Sequence, residues 1–321
     1  MPRHVVLGKG PLGTALAHHL SDHGQDVLVV SRSGAPAGMR DVPPGGVAHT
    51  AVDASDPVAL TAAVRGAEVV YNCASPRYDR WPALWPALNA AALDAAEATG
   101  AVLVAAGNLY AYGRPDGPMT ESTPTAPAER KGAVRAAVWD EALRRHRAGR
   151  VRVTEVRGSD YVGPGAVGPA HAGERLVRPL LQGRPLRPIG DPDVPHSWTY
   201  LPDFAAALAA AGRTAQAWGS PWIAPTGGPL TFRELATRLA DAAGVDVPTI
   251  APVPTAVLAA IGLASGPVRE VRRMTFQFDA PFVVDSTGSQ RVLGVDPTPW
   301  ERIAAQTVAW GRGLEPAAGR R

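Results

Sequence analysis

A chain of 321 residues with a formal net charge of only +3 is long enough to bury a sizeable core, and its basic residues are spread too evenly to suggest a nucleic-acid partner. A single cysteine, Cys73, excludes an internal disulfide framework and suits a reducing compartment. No apolar run reaches membrane-spanning length, and the opening MPRHVVLG lacks the apolar core of a secretory signal, so a cytoplasmic monomer or homodimer with no membrane contact is expected.

In chain order, short apolar runs alternate with helical stretches. HVVL (4–7) precedes LGTALAHHLSDHG; DVLVV (26–30) and VAHTAVD (47–53) precede DPVALTAAVRG. EVVYN (68–72) leads into PALNAAALDAAEATG, AVLVAAG (101–107) into the helix opened by ERKGAVRA (129–136), and VRVTEV (151–156) closes the series. Strands alternating with helices predict an α/β fold: a Rossmann-type doubly wound parallel sheet with helices on both faces. Beyond about residue 158, Gly/Pro-rich loops separate shorter helices. The expected division is a dinucleotide-binding domain over 1–160 and a smaller mixed α/β substrate lobe over 161–321, with some segments returning to the first domain. SPRYDRWPALWPAL (75–88) reads as a loop whose Tyr78, Trp81 and Trp85 suit a flat or apolar substrate, although helix packing explains Trp85 equally well.

HVVLGKGPLGTAL holds Gly8-x-Gly10-x-x-Gly13 directly after the first strand and at the start of the first helix. In that context the glycines allow a tight turn and bring backbone N–H groups close to a pyrophosphate, with Lys9 and Leu12 in the same loop. The second match, Gly163-x-Gly165-x-x-Gly168, is flanked by prolines and followed by no parallel strand, so it is set aside. The end of the second strand reads VLVVSRSG: Ser31 stands where an NAD site usually carries an acid, and Arg32 follows. Missing negative charge plus a guanidinium favours NADP over NAD. Asp53, ending the third strand, is either an adenine contact or only a cap for the next helix.

These motifs in this order resemble the short-chain dehydrogenase/reductase superfamily, in its extended NAD-dependent epimerase/dehydratase type, over roughly residues 4–312. GKGPLG resembles the phosphate loop, and YNCAS, with Ala74, the strand lining the cofactor. ALNAAALDAA, with Asn89, resembles the helix whose Asn supports the active site, and AAGNLYAYG the segment that usually reads Ser-Ser-x-x-x-Tyr-Gly. VRGSDYVGPG, with Tyr161 as a substrate contact, resembles Arg-x-x-x-x-Tyr-Gly-Pro; WTYLPDFAAAL and the C-terminal VVDSTGSQRVLGVDPTPWERIAAQTVAW complete the series. The resemblance implies a catalytic Tyr-x-x-x-Lys, but those positions are Lys131 and Arg135, and the Ser/Thr position is Asn108.

On this alignment Asn108 still offers a hydrogen bond to a substrate oxygen, and Arg135 reaches the nicotinamide ribose. Lys131, beside a fixed cation, is one candidate for moving a proton, unless it is merely a solvated residue on the helix's first turn. Tyr110 is the other; it falls where sugar dehydratases of this family carry a catalytic Glu, but packing is its alternative. His196 stands where nucleotide-sugar enzymes commonly have a diphosphate-gripping Arg, or is simply a loop histidine. His19 and His23 have helical spacing but no third ligand, so no metal is expected. The leading expectation is an NADP(H)-dependent oxidoreductase acting on a small carbonyl, imine or alcohol. The alternatives are a cofactor-retaining isomerase, lyase or cyclase without net redox, and a non-catalytic NADP-sensing protein.

Overall fold

Val5 and Leu7 leave the first strand on one side and Val6 on the other, and all three are buried. That is the pattern of a strand covered on both faces. In the computed structural model, which describes residues 4–35, 46–168 and 170–314, the pattern builds a seven-stranded sheet. The elements run β1 (His4–Leu7), α1 (Pro11–Asp22), β2 (Val27–Ser31), β3 (Val47–Ala51), α2 (Pro57–Ala63), β4 (Val69–Asn72), α3 (Trp81–Thr99), β5 (Val102–Asn108), α4 (Arg130–Arg147) and β6 (Arg152–Gly158). They continue with β7 (Asp160–Val162), α5 (Glu174–Leu181), β8 (Trp198–Tyr200), α6 (Leu201–Arg213), β9 (Pro221–Ile223), α7 (Phe232–Ala243), α8 (Thr255–Ala264), α9 (Gly266–Arg273), α10 (Phe276–Asp279), α11 (Thr287–Leu293) and α12 (Trp300–Arg312).

The strand order is β3-β2-β1-β4-β5-β6-β9, parallel throughout. Val6, Val29, Tyr71, Val104 and Val156 pack with α1 and α6 on one face. Val5, Leu7, Val70, Leu103 and Val153 pack with helices on the other, Leu60 of α2, Leu93 of α3 and Trp139 of α4 among them. The chain reverses direction across the sheet between β1 and β4, which opens a crevice at their carboxyl ends. α6 and β9 come from the second half of the chain yet complete the sheet. β9 has three residues, too few to show a period in the sequence.

The remaining elements form the lobe over that carboxyl edge. β7 and β8 pair, and α5, α7 and α12 pack around Trp198, Tyr200 and Phe232. α7 starts on a reciprocal cap, in which Thr231 accepts from the Glu234 N–H and Glu234 accepts from the Thr231 N–H. α9 lies against the turn Tyr78–Arg80.

One expectation is corrected here. Residues 75–88 are not all loop: α3 begins at Trp81, with a proline in its first turn. Trp81 and Trp85, four apart on one helical face, are buried with Val138 of α4.

Candidate active site

The glycine loop has the geometry that a pyrophosphate cradle requires. Gly8 has φ +96°, and a Cβ there would stand 2.8 Å from the Ala74 backbone. A Cβ on Gly13 would meet the Gly8 carbonyl, so α1 packs against the loop without a side chain between them. Gly10, the residue capping α1, has open space where its Cβ would be and no side-chain cap. Unpaired N–H groups at the start of α1 therefore face a volume that a dinucleotide's phosphates can fill, and these residues fit that group. Leu12 is buried behind the loop.

At the adenosine end, Ser31 Oγ and Lys9 Nζ both donate to the Gly34 carbonyl, at 3.3 and 3.0 Å. Arg32 is exposed beside them. Asp53 is not the cap of α2. That role belongs to Asp56, whose carboxylate accepts from the Val58 and Ala59 N–H groups, both at 3.0 Å. Asp53 instead accepts from the Ser55 N–H and hydroxyl, which with Arg32 hold its carboxyl below the usual range. Cys73 is partly buried against the core beneath the loop, and burial pushes its thiol up to about 12.

Beyond β5 the chain turns through Leu109–Tyr112. Asn108 accepts the Tyr110 N–H on its amide oxygen at 3.2 Å, so the group it can offer a substrate is its NH2. The Tyr110 hydroxyl is 3.4 Å from that of Tyr78 and within reach of the Gln277 side chain. Burial and the Asp160 charge push Tyr110 up to about 12, so it keeps its proton at neutral pH. Burial raises Tyr78 further. Trp81 tilts against Tyr110 at 5.9 Å and donates its N–H to the Pro76 carbonyl.

Arg135, expected at the nicotinamide ribose, is instead engaged inside the protein. Its guanidinium turns inward, donating to the Ala106 carbonyl at 2.8 Å and to Glu155 at 2.9 Å, and lies 4.5 Å from the centre of the Trp85 ring. Glu155 also accepts from Arg157 at 2.7 Å, giving a buried Arg–Glu–Arg triad beneath the crevice. The physical reason is desolvation: a guanidinium this deep needs a carboxylate, and Glu155 on the adjacent strand supplies it. Trp85 is thereby occupied and is not a substrate surface. Among the described residues Arg135 Nε and Asn72 Oδ1 have no partner, and both residues line a cavity of about 10 Å³, close to the room one water needs. Asn89, on the same cavity, donates to the Val138 carbonyl and ties α3 to α4.

Lys131 is neither a solvated surface residue nor an amine isolated beside a like charge. It is 2% exposed, ion-paired with Glu270 of α9, and 4.3 Å from the Tyr78 ring centre. Glu270 gives its second oxygen to Arg273 at 2.9 Å. The pair fastens the lobe to α4 at the mouth of the site.

His196 lies in the segment just before β8 and is buried. It is 3% exposed and packed between Phe278 and Phe282. Its Nδ1 lies 3.2 Å from the Gln277 carbonyl, and its Nε2 lies 3.0 Å from Asp160. Burial alone would raise Asp160, but the hydrogen bond and charge of His196 outweigh it and hold the carboxyl below the usual range. Tyr161 packs edge-on to Phe204, and burial raises its phenol. The sequence reading missed Asp160, Glu270 and Gln277. Asp160 was visible one residue before Tyr161; nothing in the local sequence around 270 or 277 marks a site, because only the lobe's return brings those residues in. Among the described residues no group of three or more His, Cys, Asp or Glu could hold a metal ion.

Several solved structures share this architecture. MoeE5 in complex with UDP-glucose and NAD is 21% identical, covers 97% of this chain and 98% of its own, and superposes with a TM-score of 0.76. A double mutant of DesIV, a dTDP-glucose 4,6-dehydratase from Streptomyces venezuelae with NAD bound, is 22% identical over 97% of each chain, with a TM-score of 0.75. The UDP-glucuronic acid 4-epimerase from Bacillus cereus in complex with NAD is 15% identical, over 98% of this chain and 99% of its own, with a TM-score of 0.75. At such identities the likeness speaks for the fold. No curated protein matches the sequence. The family model for the NAD dependent epimerase/dehydratase family, however, matches residues 5–221, from β1 through the crevice to the start of β9. A match spanning more than half the chain settles the family: this protein belongs to the NAD dependent epimerase/dehydratase enzymes.

Proposed function

We propose that the protein is an NADP(H)-dependent oxidoreductase acting on a small carbonyl, imine or alcohol, rather than on a nucleotide sugar. The observation that carries this reading is His196. Both its ring nitrogens are engaged and its ring is sealed among aromatics, so it has nothing to offer a diphosphate. The bound dinucleotide would supply hydride chemistry. The protein's own contribution is the Asn108 NH2 group, which orients a substrate oxygen, and the Tyr110 hydroxyl, which moves its proton. Ser31 and Arg32 at the end of β2, with Lys9 of the glycine loop beside them, favour a 2′-phosphate on the adenosine ribose. The protein is read as cytoplasmic, a monomer or homodimer; among the described residues no helix is long and apolar enough to cross a membrane.

A second reading, cofactor-retaining epimerisation or dehydration of a nucleotide sugar, is favoured by one observation. A recess of about 290 Å³ beside α5 is lined by Arg175, Arg178, Arg184 and Arg187 together with Glu174 and Pro179, and Glu174 pairs with Arg178 at 3.4 Å. Calorimetry separates the two. Saturable micromolar binding of UDP-glucose or a dTDP-sugar to the NADPH-loaded protein would overturn the first reading; net NADPH oxidation with a panel of small carbonyls and imines, without nucleotide-sugar binding, supports it.

A further inference from the structure

The outer face of α5 carries a charge arrangement that the crevice does not use. Leu176, Val177 and Leu180 turn into the lobe core, which leaves Arg175 and Arg178 three residues apart on the opposite side of the helix. The chain after α5 adds two more guanidinium groups. The Arg184 N–H donates to the Pro179 carbonyl at 2.9 Å, so the loop doubles back along the helix end. Leu186 is buried and bonded through both backbone groups, to the Thr249 carbonyl and the Ala251 N–H, each at 2.9 Å. Arg184 and Arg187, on either side of this anchored residue, stay exposed.

The four arginines line the recess of about 290 Å³, and the one acid lining it, Glu174, is paired with Arg178. Among the described residues no carboxylate pairs with Arg175, Arg184 or Arg187. Four guanidinium groups against one carboxylate leave three positive charges in excess around one small volume. Like charges held together repel, and the anchored backbone on both sides of the recess keeps the arginines from spreading apart. An anion entering the recess converts that repulsion into attraction. A short phosphate chain suits it best: it carries several charges, and the planar guanidinium fork matches phosphate oxygens two at a time.

We propose that this recess is an oligophosphate-binding site. Arg175, Arg178, Arg184 and Arg187 grip the phosphate chain, and Glu174 holds Arg178 in place from the helix turn before it. The chain is presented either as a free oligophosphate or as the diphosphate of a nucleotide sugar. None of the lining residues belongs to the glycine cradle or to the Asn108–Tyr110 end of the crevice, so the site does not depend on which reaction the crevice performs.

The test needs no turnover, and tripolyphosphate is the probe. Titrated calorimetrically into the full-length protein at low ionic strength, it should bind saturably and raise the thermal midpoint. Arg184→Gln and Arg187→Gln, both at exposed positions, should each weaken it roughly tenfold, the loss of charge-assisted hydrogen bonds, and keep the midpoint of the unliganded protein. Added salt should weaken binding in the unmodified protein, as screening of exposed charges requires. No saturable binding overturns the site. Binding undiminished in both variants also overturns it and would place the anion on the glycine loop instead. UDP-glucose separates the two sources: displacement of tripolyphosphate identifies a nucleotide diphosphate, and failure to displace it identifies a free oligophosphate. Failure of the carbonyl panel, by contrast, bears on the reaction class and not on these titrations.

Discussion

Arg135 Nη2 lies 2.9 Å from Glu155 Oε1, and neither side chain is more than 5% exposed. The Arg135 charge is thus spent inside the protein. Arg135→Met, which keeps most of the side-chain volume, should therefore leave NADPH affinity within about twofold, well under 1.4 kcal/mol. Fluorescence titration checks this; a large loss of affinity would mean that the guanidinium reaches the ribose after all.

Glu155 neutralises two buried guanidinium groups, Arg135 and Arg157. Glu155→Gln leaves both without a full counter-charge and should cost about 3–5 kcal/mol of stability. The expected readout is a denaturant midpoint far below that of Arg135→Met, in which Glu155 keeps Arg157.

Lys131 joins α4 to α9 through Glu270. Lys131→Met should raise amide hydrogen exchange over residues 266–273 and leave exchange in the central strands unchanged. Uniform exchange across the protein would show that the ion pair does not hold the lobe. Glu270→Gln should reproduce the effect in α9, since it removes the same contact from the other side.

On the proposed reading, cofactor choice turns on the end of β2. Arg32→Ala should weaken NADPH by roughly tenfold, the loss of one charge-assisted hydrogen bond, and leave NADH unchanged. Equal affinities for the two cofactors in the unmodified protein would count against NADP, and would be in keeping with the NAD seen in the solved structures of similar fold.

His171 gives a pH dependence whose sign is fixed. Burial lowers its folded value from 6.5 to about 4, so the unfolded chain binds the proton first as pH falls. Its contribution is complete above 6.5, declines below that, and levels off near 4. The whole span is worth about 3 kcal/mol. His171→Phe, which keeps a ring against Trp198 and Phe278, should flatten the stability profile across that window. Urea unfolding at intervals through it is the measurement.

The alternation of apolar runs and helical stretches was legible because each strand carries its own burial pattern. HVVL, EVVYN and AVLVAAG predict strands within a residue or two of β1, β4 and β5. β9 was not legible: PWI joins the sheet edge only because α6 returns the chain there. Trp81 and Trp85 read as a loop because prolines surround them, whereas Pro82 sits in the first turn of α3, where it costs no hydrogen bond, and the helix runs on through Pro86.

The sequence by itself determined the parallel sheet and the glycine cradle, because each is written in residues adjacent in the chain. Only the tertiary structure decided what Lys131, Arg135 and His196 meet. Lys131 meets Glu270, 139 residues away, and Arg135 meets Glu155 across a sheet–helix interface. His196 meets Asp160 from 36 residues away. A buried charge takes its state from whichever opposite charge the fold delivers to it, and no local spacing records that partner.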